Sequence, residues 1–132
     1  MIQNNNILLA DDEVHILRVL ELKLSSAGFN CIKTSDGISA WKEILRSKPA
    51  LVISDYQMPG MSGLDLAQKM FENIELRGIP VILLTARGFS LTPDDLTHTN
   101  ILYRLSKPFS PREILTLVQE VLEIKIKDRV HV

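Results

Sequence analysis

No internal disulfide can form in this chain, because Cys31 is its sole cysteine. It lies in an apolar stretch with no catalytic partner nearby, so packing is its expected role. No excess of charge stands out either: 15 Lys and Arg face 16 Asp and Glu, a net charge of −1 spread along the sequence. That removes the basic face that direct binding to nucleic acid or an anionic membrane requires. Apolar runs extend over only a few residues, far short of the roughly 20 that a membrane-spanning helix needs. No basic-then-apolar leader opens the sequence, and a cytoplasmic protein is the expectation. Internal repeats and low-complexity tracts are missing too, apart from a short Asn run near the start. What remains is 132 residues, 45% apolar and 23% charged. That is a globular composition, long enough for one ordinary domain with its own core.

Periodicity divides the chain. Residues 1–6 are a polar lead expected to fray, residues 7–126 the domain, and residues 127–132 a polar tail. Short apolar runs at Ile7 to Ala10, Leu51 to Ile53 and Val81 to Leu84 read as buried strands, with weaker ones around Asn30 to Thr34 and Ile101 to Ser106. Between them lie helical patterns. The first carries Ile16, Leu17, Leu20 and Leu24 and stops at Gly28; the second carries Ala40, Trp41, Ile44 and Leu45 on its inner face and is closed by Pro49. The third bears Leu64, Ala67, Met70, Phe71 and Ile74. A fourth is weak, one to two turns with Thr92 as N-cap and Pro93 at its first position. The last opens with a Ser110/Glu113 capping box and turns Ile114, Leu115, Val118, Val121 and Leu122 inward.

Five short strands alternating with helices imply a doubly wound α/β fold with a parallel sheet and helices on both faces. The flavodoxin-like order 2-1-3-4-5 suits the length and puts the switch point between strands one and three. Asp11 and Asp12 follow the first strand and Asp55 ends the third, so the topology converts distant acids into neighbours. Three carboxylates in one crevice repel by roughly 4 kcal/mol per pair at 4 Å and an effective dielectric of 20. With no His or Cys close by, a hard cation such as Mg²⁺ suits them, and Mn²⁺ is a substitute. Thr85 after strand four offers a hydroxyl and Lys107 after strand five an ammonium, both suited to phosphoryl oxygens. A carboxylate nucleophile, a cation site, a donor and an ammonium make up a phosphoryl-transfer site. Each residue alone has a plainer reading: Asp12 as a helix cap, Asp55 as a turn residue, Thr85 as a strand end and Lys107 as a solvated charge. All five together by composition have odds of about one in a million at roughly 6% usage each.

This set resembles the receiver domain of two-component response regulators, over about Ile7 to Lys125. Asp11-Asp12, Asp55 with the loop Met58-Pro59-Gly60-Met61-Ser62-Gly63, Thr85, and Lys107-Pro108-Phe109 carry the likeness. The resemblance implies that Asp55 takes a phosphoryl group from a histidine of a sensor kinase or a histidine phosphotransfer protein. It implies Mg²⁺ held by Asp12, Asp55 and the backbone carbonyl of Gln57, with Asp11 acting through water. It also implies Thr85 and Lys107 on the phosphoryl oxygens, a cis bond at Lys107–Pro108, and output through contacts with a downstream protein. By the same analogy Val14, Ile16, Pro108 and Phe109 form a kinase-docking patch or else belong to the core.

Two departures stand out. Receivers usually carry an aromatic three residues before the lysine; here the position is Arg104, and the adjacent Tyr103 falls on the opposite face of its strand. Arg104 is accordingly expected to work with Arg87 on the output surface. Gln57 and Arg87, two residues beyond Asp55 and Thr85, are expected to flank the path of hydrolytic water. Rival readings are a small Mg²⁺-dependent aspartyl-phosphate phosphatase, which would usually carry a second acid where Gln57 stands, and a receiver-like binding module that takes no phosphate.

Overall fold

The computed structural model describes residues 4–130, with side chains described as far as Glu123. Strands β1 (Asn6–Ala10), β2 (Asn30–Thr34), β3 (Leu51–Asp55), β4 (Val81–Thr85) and β5 (Ile101–Ser106) alternate with helices. These are α1 (Val14–Ser26), α2 (Gly37–Ser47), α3 (Gly63–Glu72), α4 (Pro93–Leu96) and α5 (Pro111–Val130). The strands form one parallel sheet in the order β2-β1-β3-β4-β5, as the alternation of elements implies. β1, β3 and β4 are buried on both faces, which is why they read as unbroken apolar runs.

Two cores follow from the pleat. Ile7, Leu9, Leu51, Ile53, Ile82 and Leu84 pack against Leu17, Leu20 and Leu24 of α1 and Ile114, Val118 and Val121 of α5. Leu8, Ala10, Val52 and Val81 pack against Ala40 and Ile44 of α2 and Leu66, Ala67 and Met70 of α3. Full burial of one such Leu or Ile contributes about 1.5–3 kcal/mol. Cys31 is half-buried against the first core, in the packing role expected of it. β5 carries a register shift: Val81 pairs with Ile101 but Ile82 with Tyr103, so Leu102 is an extra residue. Ile101 therefore faces the α2/α3 core while Tyr103 and Leu105 face the α1/α5 core.

Several expectations need correction. The lead is not frayed at Asn4 to Asn6: Asn4 Nδ2 donates to the Lys48 carbonyl at 3.0 Å, and Asn30 N–H donates to the Asn5 carbonyl at 3.0 Å. Residues 1–3 lie outside the described residues. On α2, Leu45 is 42% exposed and Trp41 only half-buried, because the stripe that reaches the sheet is the narrower one through Ala40 and Ile44. On α3, Leu66 is buried where Leu64 was expected, and Ile74, beyond the helix, is 86% exposed. Helix α5 keeps a helical backbone to Val130, so residues 127–130 continue it rather than forming a tail. α4 is a single turn, with Thr92 and Pro93 in the expected places and Asp95 completing a capping box.

Candidate functional site

Asp11 is the buried corner of the site. It has no exposed surface; its N–H donates to the Thr34 carbonyl at 3.1 Å, and its Oδ1 accepts from Glu13 N–H at 2.9 Å. Those two bonds fix the turn that launches α1. Glu13, not Asp12, is the N-cap residue of that helix, and no side chain caps it. The plain capping role for Asp12 therefore does not hold; its carboxylate is exposed at the crevice. Asp55 comes up from β3 and is 7% exposed. One carboxylate oxygen from each of Asp11, Asp12 and Asp55 lies within 4.8 Å of the others. At that separation each charged pair repels by about 3.5 kcal/mol or more at an effective dielectric of 20.

Lys107 partly answers that repulsion. Its Nζ is 2.9 Å from Asp11 Oδ2, 3.4 Å from Asp55 Oδ1 and 3.5 Å from Glu13 Oε1. The Lys107 ammonium is the one ion partner of this fully buried Asp11 Oδ2 among the described residues. Burial works against the Lys107 charge, and Asp11, Asp55 and Glu13 together outweigh it, so its pKa lies above the usual lysine value. Asp55 is pushed the other way: burial first and the charge of Asp11 next raise it to about 6, against the lowering pull of Lys107. One ammonium does not neutralise three acids. Three carboxylates that offer one oxygen each within 4.8 Å, an all-oxygen donor set, fit a hard divalent cation.

Thr85, 5% exposed, ends β4, and its carbonyl accepts the Lys107 N–H at 2.8 Å. The Lys107–Pro108 bond is cis, as the resemblance implies. Close packing holds the floor of the site. A Cβ on Gly63 would lie 2.3 Å from the Asp55 carbonyl oxygen and 2.8 Å from Leu83 Cδ1, so only glycine lets α3 start this near β3. The pocket over Asp55 has a volume of about 120 Å³ and is lined by Glu13, Asp55, Tyr56, Gln57, Ala86, Phe89 and Lys107. That leaves room for a small group such as a phosphoryl beside Asp55.

The structure thus gathers Asp11, Asp12, Asp55 and Lys107, and places Gln57 in the same pocket wall. Arg87 is exposed outside that wall, where Ala86 and Phe89 stand instead. Arg104 is exposed on β5, with Tyr103 packed on the opposite face. Val14 and Pro108 are exposed, while Ile16 and Phe109 pack partly against the core. Glu13 and Phe89 are pocket residues that sequence reading missed. Glu13 had a signal, since it directly follows the acid pair; Phe89 had none beyond the preceding Gly88.

Fold and site together define a flavodoxin-like α/β domain with an acid-and-lysine crevice at its switch point. The chain belongs to the response regulator receiver domain family, whose profile matches residues 7–119. It is 33% identical over 116 residues to the phosphate regulon transcriptional regulatory protein PhoB of Pseudomonas aeruginosa, covering 88% of this chain and 51% of that one. The signal receiver domain of a putative Luxo repressor protein from Vibrio parahaemolyticus superposes with a TM-score of 0.85 at 26% identity, covering 97% and 98% of the two chains. The chemotaxis response regulator CheY4 of Vibrio cholerae shares the fold, with a TM-score of 0.82 at 24% identity, covering 90% of this chain and 99% of that one. The chain spans about half the length of the curated relatives it matches. Among the described residues no helix is long and apolar enough to cross a membrane.

Proposed function

We propose that residues 7–126 act as a phosphoacceptor: Asp55 takes a phosphoryl group from a histidine of a sensor kinase or histidine phosphotransfer protein. The observation that carries this reading is the convergence of Asp11, Asp12 and Asp55 within 4.8 Å beside Lys107. In the transfer an Asp55 carboxylate oxygen attacks phosphorus, and the phosphorus–nitrogen bond breaks towards the imidazole. Asp12, Asp55 and the Gln57 backbone carbonyl would hold Mg²⁺ or Mn²⁺, with Asp11 acting through water. Bound there, the cation supplies neutralisation of the acids and of the incoming phosphoryl charge. Lys107 then turns its ammonium, and Thr85 its hydroxyl, to the phosphoryl oxygens.

Signal output is a change in contacts with a downstream protein, with Arg104 and Arg87 on the surface that changes. Direct nucleic-acid binding is not part of this reading, since the charge balance is −1. A cytoplasmic location goes with the proposed donor. The test is incubation with phosphoramidate and Mg²⁺ followed by intact-mass measurement. A single phosphoryl adduct, lost in Asp55→Asn, is the expected result; an unmodified wild type overturns the reading.

A further inference from the structure

An aromatic wall stands over the pocket, and it originates in a local turn. Gly88 has φ +79, and Phe89 N–H donates back to the Ala86 carbonyl at 3.1 Å. That is the pattern of a type II turn, whose third residue takes positive φ. No atom lies within 4 Å of where a Cβ on Gly88 would sit, so glycine is required by the backbone angle and not by space. The turn brings the Phe89 ring onto Tyr56, with centroids 4.4 Å apart and planes inclined by 42°. Tyr56 is itself fixed at both backbone groups: its N–H donates to the Leu84 carbonyl and its carbonyl accepts from Gly63 N–H, each at 2.8 Å. Both residues line the pocket with Asp55, Gln57 and Lys107. Phe89 remains 38% exposed, at the pocket and outside both cores.

We infer that Phe89, braced by Tyr56, shields a phosphoryl group on Asp55 from water and so sets its lifetime. The inference rests on the reading of Asp55 as acceptor. In hydrolysis a water oxygen attacks phosphorus and the bond from phosphorus to the Asp55 oxygen breaks. Its electron pair returns to the carboxylate, and the water proton passes to the released phosphate or to solvent. The attacking water needs room and a hydrogen-bonding partner to orient it. A hydrocarbon ring supplies no partner and would occupy the room, whereas Gln57, the polar residue that lines the same pocket, carries an amide able to supply one. Phe89 acts as a shield and Tyr56 as the positioning residue that holds it.

The experiment labels wild type, Phe89→Ala, Phe89→Leu and Tyr56→Leu with phosphoramidate and Mg²⁺, removes the donor, and follows loss of the phosphoryl adduct by mass. Decay in Phe89→Ala is expected to be at least about threefold faster than in wild type. Phe89→Leu, which keeps apolar bulk, is expected to restore most of the lifetime, and Tyr56→Leu to fall between. Thermal melts establish that each variant is folded; should Phe89→Ala fail there, the Tyr56→Leu decay decides. Labelled wild type with equal or slower decay in the variants overturns the shield alone. A wild type that takes no phosphoryl group overturns the acceptor reading, and the shield falls with it.

Discussion

The backbone N–H of Lys107 donates to the carbonyl of Thr85 at 2.8 Å, so the residues that close β5 and β4 are joined by one hydrogen bond. From that tether the Lys107 side chain reaches back across the crevice to Asp11 and Asp55. The proposed ammonium and hydroxyl donors are therefore set by the same stretch of sheet. Asp11, with no exposed surface, depends on that reach for its counter-charge.

Removing the ammonium exposes the dependence. Lys107→Met is expected to destabilise the metal-free protein by about 2–3 kcal/mol. This is less than the 3–5 kcal/mol typical of a broken, fully buried pair, because the Lys107 side chain keeps 17% of its exposure. Mg²⁺ should recover part of the loss by taking over neutralisation. Urea unfolding with chelator and with Mg²⁺ checks both statements.

Asp55 gives a pH dependence with a definite sign. Its folded pKa, about 6, lies above the ordinary value of 3.8. Between those values the folded state holds the proton more tightly than the unfolded one, so metal-free stability falls as pH rises through that window and levels off above it. The drop is up to about 3 kcal/mol. Asp55→Asn should remove this component of the slope, read as the difference between the two proteins' melting temperatures from pH 4 to 7 in chelator.

Gly63→Ala tests the floor of the site. The added methyl meets the Asp55 carbonyl oxygen at 2.3 Å and Ser54 Oγ at 3.0 Å, forcing α3 away from β3. A stability loss of about 1–3 kcal/mol is expected, with weaker Mg²⁺ binding because Asp55 shifts. Titration calorimetry and thermal melts on the folded variant report the two effects.

Gln57 and Arg87 should now separate. Gln57 stands in the pocket wall and Arg87 outside it, so Gln57→Ala is expected to change the adduct lifetime severalfold and Arg87→Ala to leave it nearly unchanged. Equal shifts in both would show that Arg87 reaches the site once the phosphoryl group is present.

The single-turn α4 and the exposed Arg104 side chain are the parts of the proposed output surface where a change on phosphorylation is expected. Phosphorylation is expected to raise amide-exchange protection across residues 86–100, and Arg104→Ala to weaken capture of a downstream protein without altering the labelling rate. Exchange mass spectrometry of the two states reads the first, and pull-down with the phosphorylated chain the second.

The acids and Lys107 were legible in the sequence because each ends or follows a strand, and a parallel sheet in 2-1-3-4-5 order leaves little freedom in where strand ends go. Helix faces were less so. Leu45 and Ile74 match the apolar period as well as Ile44 does, but Leu45 lies off the narrow stripe of α2 that meets the sheet and Ile74 lies past the end of α3. The capping acids Asp65 and Asp95 stand three residues after Ser62 and Thr92, a spacing that was available to be read. Phe89 was beyond reach, since its place depends on a turn and on the ring of Tyr56 in the loop after β3.

The extra residue Leu102 has a consequence for the company this molecule keeps in solution. β5 is an outer strand, and a straight outer strand is a template on which a second chain can polymerise by backbone pairing. The register shift interrupts that template near its start, spoiling the alignment an incoming strand would need. An irregularity inside the fold thus works outward, and is expected to make β5 a poorer edge for a second chain to join than an unbroken strand would be.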